Sequence, residues 1–381
     1  MMLQPRSGLC GLAVGAAVVS GTLLLAACGS NGSSRPAGSS SMAASPATAG
    51  AGGVNCGKAA TVSASGSTAQ EFAMKVWIKT FMRACPGTRI RYEGSGSGAG
   101  QTDFLDGRTA FAGSDSALSA AQINRSKGVC SNGGRAVHLP TVGGPIAIGF
   151  NLPGVGKLVL DAPTLARIFD SQITKWNDPA IAKLNSGTKL PSTPIQVTHR
   201  SDSSGTTDNF TSYLSATASS AWPHGHSKEW TARGGQSAKG SSGLVEQVKK
   251  TVGAIGYVEL PYTIARNIPT VSIATGAPAP VGASVLTASK ALAGSKIAGS
   301  GDDLVLELDY ATKAPAAYPI GMVTYEIVCD KGNKPATWPA TKAFLTYIAG
   351  AQGQEDLSFE GYATLPATIV DKVRSRINSL S

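Results

Sequence analysis

Three segments of the 381-residue chain repeat one local order: a β-prone run, then small hydroxyl and glycine residues, then a helical pattern. Residues 61–65 lead into Gly66-Ser67-Thr68, and residues 88–93 into Gly94-Ser95-Gly96-Ser97-Gly98-Ala99-Gly100. Residues 195–200 lead into Ser201-Asp202-Ser203-Ser204-Gly205-Thr206. Each junction offers a hydroxyl, a permissive glycine and the unsatisfied amide N–H groups of a helix start, and such ends bind anions. Thr68-x-x-Glu71 has capping-box spacing, which predicts Thr68 as an N-cap. Arg200 is the one cation in the proposed cradle, and Asp202 is placed to orient its guanidinium. Three helix starts at about +0.5 each plus Arg200 sum to roughly +2.5, against about −3 for a dianion with one acidic acceptor. That balance matters because an uncompensated buried charge is prohibitive. Taken singly, any one of these turns is only a helix cap; the argument rests on three of them together.

The parts for catalysis are missing from the pattern. Neither G-x-x-x-x-G-K-[ST] nor G-x-S-x-G occurs, so a P-loop and a hydrolase elbow have no support. Residues 94–99 match G-x-G-x-x-A, but the preceding run carries Arg89, Arg91 and Glu93, unlike the buried strand of a dinucleotide fold. His224-Gly225-His226 reads as a surface loop, and His138 and His199 read as packing or surface residues. No Ser–His or Cys–His pair stands out, and no metal or cofactor is expected.

The elements that must position these residues alternate. Further strands are expected at 109–112, 136–142, 146–151 and 254–259. Helices are expected at 69–84, 163–169, 206–214, 242–250, 340–349 and 368–378. The first helix places Phe72, Val76, Trp77, Thr80, Phe81 and Ala84 on one face. Alternation of this kind argues an α/β architecture with largely parallel strands. In open parallel sheets, helix starts gather beyond the carboxyl ends of the strands, which would bring the three junctions together. At this length two lobes are expected rather than one. With 42% hydrophobic and 15% charged residues, disorder throughout is excluded. The formal charge is +10, yet the longest basic run is Lys249-Lys250. That diffuse surplus excludes a nucleic-acid stripe.

The amino terminus indicates where the chain works. A single Arg6 precedes a stretch free of charge from Ser7 to Cys28. A membrane-spanning anchor is the alternative, but terminal position, Gly/Ala content and small residues before a Cys favour a cleaved signal. Leu25-Ala26-Ala27-Cys28 resembles a bacterial lipobox. That likeness implies a signal peptide over 1–27 and acylation of Cys28, and thus a lipid-anchored protein on the outer face of the cell membrane. Residues 28–56, rich in Gly, Ser, Ala and Pro, are expected to form a flexible linker. Four cysteines then remain: Cys56, Cys85, Cys130 and Cys329. In an exported protein they suggest two disulfides with three possible connectivities. Cys56–Cys85 with Cys130–Cys329 is favoured.

The whole arrangement resembles the phosphate-binding protein of the bacterial phosphate-specific ABC importer, a class II periplasmic-type binding protein. The likeness rests on SGST (65–68), YEGSGSGAGQ (92–101), AGSDSAL (112–118), ITKWNDPAIAKLNSGTKLP (173–191), HRSDSSGTTDNFTSYL (199–214), GAIGYVE (253–259) and YPIGMVTYEIV (318–328). It implies a two-lobed type II fold, each lobe a mixed, mainly parallel sheet flanked by helices, with the ligand cleft between. The lobes are expected over 57–145 with 318–381, and over 146–317. It further implies a monomer that holds hydrogen phosphate without catalysis and passes it to a membrane permease. Carried onto this chain, the ligand set is Thr68, Ala69 through its amide, Ser97, Asp115, Arg200, Ser204, Gly205 and Thr206. Ala69 replaces the aromatic residue frequent at that position. The alternatives are an exported phosphatase or phosphotransferase, and a receptor for sulfate or another tetrahedral oxyanion.

Overall fold

The computed structural model describes residues 53–357 and 360–381. The expectations for the signal, for Cys28 and for most of the linker lie outside them. The chain begins with β1 (Thr61–Gly66), α1 (Glu71–Ala84), β2 (Arg89–Gly94), α2 (Ser97–Leu105), β3 (Phe111–Ser114) and α3 (Ala120–Ser126). Next come β4 (Ala136–Phe150), β5 (Val159–Asp161), α4 (Ala162–Phe169), α5 (Pro179–Leu184), β6 (Gln196–Arg200) and α6 (Gly205–Thr217). They are followed by β7 (Gln236–Ala238), α7 (Gly240–Lys250), β8 (Ala254–Glu259) and α8 (Leu260–Arg266). Short pieces β9 (Ser272–Ala274), β10 (Val281–Gly282), α9 (Val285–Leu292), β11 (Lys296–Ile297) and β12 (Leu306–Glu307) lead to β13 (Gly321–Cys329). Helices α10 (Trp338–Ala349), α11 (Ala351–Glu355) and α12 (Ala367–Ser379) close the chain.

One eight-stranded sheet runs through the molecule in the order β2-β1-β3-β13-β4-β8-β6-β7. β1 pairs in parallel with β2 and β3, and β6 in parallel with β7 and β8. The antiparallel β13 and β4 join these two groups. Side chains from the sheet feed two separate hydrophobic cores. Trp77, Phe81, Phe111 and Phe344 lie in the first, and Phe150, Trp176, Phe210 and Tyr257 in the second. Burying large aromatic surface of this kind stabilises each lobe independently.

Two expectations need correction. The runs 136–142 and 146–151 are one continuous strand, β4, despite Gly143-Gly144-Pro145 between them. β13 pairs with β4 from Ala136 to Pro145, with one register shift at Thr141, and β8 takes over at Ile146. Pro145 thus falls where the strand changes partners, a position that tolerates proline better than a ladder interior. The lobe boundaries also differ. Ala288, Leu292, Leu304 and Leu306 pack in the first core, while Tyr318, Ile320 and Met322 pack in the second. Leu292 lies so close to Gly143 that a Cβ there would sit 2.4 Å from its Cδ1. A missing side chain on β4 therefore draws α9 onto the first lobe. Both favoured disulfides form: Cys56–Cys85 and Cys130–Cys329, each with Cα atoms 5.4 Å apart. No helix among the described residues is long and apolar enough to cross a membrane.

Candidate anion-binding site

The carboxyl ends of β1, β2, β3, β6 and β8 point to the seam between the two cores, where the starts of α1, α2, α6 and α7 also lie. Arg200, the last residue of β6, is 3% exposed. Its Nε donates to Asp202 Oδ1 at 2.8 Å, and its Nη2 donates to the other oxygen of that carboxylate. Asp202 thus orients the guanidinium as expected. Burial alone would lower the arginine, but the Asp202 hydrogen bonds and charge outweigh it and raise its pKa. For Asp202, burial pulls upward and the same pairing wins, leaving the carboxyl below its ordinary value. The free edge of the guanidinium, Nη1, faces Thr206 Oγ1 at 3.4 Å and Ser241 Oγ at 3.2 Å.

Asp115, just beyond β3, is 4% exposed and points into the same cluster. Ser67 shares its hydroxyl proton between both carboxylate oxygens at 2.7 Å. Thr324 donates to Oδ1 at 2.7 Å and Ser97 to Oδ2 at 3.1 Å. Burial is the largest influence on this carboxyl, and the nearby Glu259 charge adds to it. Against the lowering by the three hydroxyls, they push its pKa from 3.8 to about 6.

The lobes meet tightly here. Thr68 Oγ1 and Ser241 Oγ are 2.8 Å apart, and the amide of Ser241 donates to Thr68 Oγ1 at 3.2 Å. The Gly98 amide donates to the Ser203 carbonyl at 3.0 Å, and Asn209 Nδ2 donates to the Asp115 carbonyl at 2.7 Å. Ser116 Oγ donates to Asp208 Oδ2 at 2.6 Å. Two glycines make this approach possible. A Cβ on Gly205 would stand 2.6 Å from both Asp115 Cβ and Ser97 Oγ. One on Gly96, which has φ +97°, would stand 2.5 Å from Asp202 Oδ2.

All eight residues of the expected set therefore come together, although one acts differently from the local reading. Thr68 is not an N-cap. α1 begins at Glu71 after Gln70 with no side-chain cap, the Thr68 hydroxyl is held by Ser241, and the Glu71 carboxylate accepts from Tyr262. The Ala69 amide donates to Ser67 Oγ at 3.0 Å. Ser204 caps α6 by accepting from the Thr207 amide. The sequence reading missed Ser67, Ser241 and Glu259. Glu259, at the end of β8, is 2% exposed and accepts the hydroxyl of Thr206.

The histidines stand apart from this cluster. His138 is buried, with Nδ1 2.9 Å from Asp303 and Nε2 accepting the Leu118 amide at 2.8 Å. His199 stacks on Trp230, and burial lowers its pKa. His224 and His226 pair with Asp170 and Asp208. Among the described residues no group of His, Cys, Asp and Glu side chains is arranged to hold a metal.

Two cores on one shared sheet, with anion-seeking groups at their seam, define a two-lobed fold with a candidate anion-binding site between the lobes. A family model described as a PBP superfamily domain matches residues 41–352. Phosphate-binding protein PstS 2 of Mycobacterium tuberculosis is 43% identical over 377 residues, covering 96% of this chain and 98% of its own. Phosphate-binding protein PstS of Methanocaldococcus jannaschii is 30% identical over 338 residues, 83% of this chain and 85% of its own. The chain belongs to this PstS family of phosphate-binding proteins. In fold it is similar to a phosphate-binding protein from Stenotrophomonas maltophilia, with TM-score 0.63 at 21% identity over 83% of this chain and 94% of that one.

Proposed function

We propose that this chain captures inorganic phosphate outside the cytoplasm and delivers it to the membrane permease of an ABC importer. In this reading Cys28 carries the lipid that holds the protein at the outer face of the membrane, and residues 28–56 tether the folded part. The single observation that supports the reading best is the placement of a buried Arg200 edge and a buried Asp115 carboxylate at one seam. An anion alone would be served by the arginine and the helix starts. A carboxylate beside them is an asset only when the anion brings a proton, because an ionised Asp only accepts.

Thr68, Ser97, Ser204 and Thr206 would supply hydroxyls, and Ala69 and Gly205 amides. Arg200 would donate through Nη1, and Asp115 would accept the ligand's P–OH. Hydrogen bonds to charged groups contribute about 1.5–3 kcal/mol each. A few beyond those the closed seam makes with itself therefore reach the roughly 8 kcal/mol of micromolar affinity. Sulfate has no proton for Asp115 at neutral pH and meets a like charge instead. Calorimetric titration with phosphate, sulfate and a phosphate monoester tests this. Phosphate should bind and the other two should not; equal affinity for sulfate would overturn the reading.

A further inference from the structure

Glu259 presents a problem that the ligand set above does not solve. Its Oε1 accepts the Thr206 hydroxyl, while its Oε2 is buried and has no hydrogen-bond partner among the described residues. A buried acceptor without a donor is expensive, the more so on a carboxylate. The residue is not remote from the cradle. Thr206 Oγ1 touches both Glu259 and the free edge of Arg200, and Glu259 adjoins Asp115 closely enough to raise it. Asp115 belongs to the strand group of the first lobe and Glu259 to that of the second. Each side of the seam therefore presents one acid.

We propose that Glu259 is a second proton acceptor for the ligand, so that the site takes phosphate as dihydrogen phosphate, one P–OH directed to Asp115 and the other to Glu259. This deepens the phosphate-capture reading and rests on it. The charge balance agrees. Arg200 is already paired with Asp202. Four helix starts at about +0.5 each then offset the two carboxylates, and a monoanion leaves less uncompensated charge than a dianion. The other groups around the pair are phenols and a buried acid. Tyr92, Tyr325 and Tyr362 face Asp115, as does Glu326, and Tyr262 and Tyr362 face Glu259. Burial drives all of them toward their neutral forms, so none of them adds a negative charge to the pair. Thr206 bridges the acid and the arginine, donating its hydroxyl proton to Glu259 while its oxygen accepts from Arg200 Nη1.

The test is calorimetry of the full chain in detergent with inorganic phosphate, in buffers of different ionisation enthalpy. Near about pH 8, where the dianion dominates in solution, binding should take up about one proton per phosphate. Apparent affinity should fall by about tenfold per pH unit above the second ionisation of phosphate. In Glu259→Gln the proton uptake and the pH slope should both disappear while phosphate still binds. Wild-type binding without proton uptake overturns the proposal whether or not the variant folds. So does a folded Gln variant with the wild-type uptake. Absence of phosphate binding by the wild-type chain at every pH overturns the capture reading itself.

Discussion

Replacing Asp115 with Asn removes a charge that the ligand-free fold carries at a loss. Burial and Glu259 raise this carboxyl from 3.8 to about 6, so the folded chain holds its proton more tightly than the unfolded one. The sign follows from linkage. The stability associated with the protonated acid is fully present below about pH 4 and is lost as pH rises through 6. A shift of about two units at about 1.4 kcal/mol per unit makes the ionised form cost roughly 3 kcal/mol at pH 8. Asn escapes that cost. It forgoes some of the hydroxyl donors from Ser67, Ser97 and Thr324, but that loss, about 1 kcal/mol per bond, does not depend on pH. The difference in stability between variant and wild type should therefore swing by about 3 kcal/mol between pH 4 and pH 8, in favour of Asn at the higher value. In a chain of this size that is roughly a 4 °C swing in Tm difference. Thermal melts of both proteins, without phosphate, across that range provide the assay. A Tm difference that stays constant with pH would refute the reasoning, because it would mean that Asp115 titrates as an ordinary exposed acid. In the presence of ligand the same variant should bind phosphate more weakly and narrow its preference over sulfate.

Three further outcomes follow from the same geometry, and a fourth from the amino-terminal sequence. Arg200→Ala should abolish measurable phosphate binding and lower stability by about 3–5 kcal/mol, since Asp202 is left buried without its partner; Arg200→Lys should recover only part of the affinity, lacking the fork. Calorimetry and melts on Arg200→Ala/Asp202→Asn should show stability regained and binding still lost. Gly205→Ala places a methyl 2.6 Å from Asp115 Cβ and Ser97 Oγ in the apposed seam, so titration should show at least about a tenfold affinity loss and the melt should fall with it, as overpacking costs about 1–3 kcal/mol. Cys130–Cys329 closes a 199-residue separation and Cys56–Cys85 one of 29; replacing each pair with serines should cost about 5 and about 3.5 kcal/mol respectively in denaturant titrations. Cys28→Ala should release the protein from membranes or leave it as an unprocessed precursor in fractionation, and processed, membrane-held protein would contradict the anchor.

What the chain discloses before folding is local. The junctions at Thr68, Ser97 and Arg200–Thr206 each combine a β-prone run with a helix start, and β1, β2, β6, α2 and α6 appear where the runs predict them. Ser241 sits at a fourth junction of the same kind, but its strand, β7, has only three residues, too few to show a period. Glu259 ends a strand that was expected, yet its role depends on Thr206, 53 residues away. Thr68 shows how tertiary structure overrides local pattern. The capping-box spacing is intact, but Ser241, 173 residues away, captures the hydroxyl. The two- and three-residue strands β9 to β12 were unreadable for the reason that hid β7, since pairings this short are decided by their partners.

Under the proposed capture reading, the division of groups between the lobes would make capture and closure one event. The first strand group brings Asp115, Ser67 and Ser97, which accept or orient but carry no positive charge. The second brings Arg200 with its restraint Asp202, the starts of α6 and α7, and Glu259. Neither half offers a phosphate what it needs. The arginine side alone lacks the acceptor that Asp115 provides, and the Asp115 side alone lacks the arginine. Only the apposed state makes both sets of contacts, so ligand must favour it by its differential affinity. That apposition already exists in the protein's own bonds, from Thr68 to Ser241, Gly98 to Ser203 and Asn209 to Asp115. The lobes join through β4, where Gly143-Gly144-Pro145 precedes the change of partner from β13 to β8. On the capture reading proposed above, phosphate would be presented to a permease as a change in the relation of the two cores.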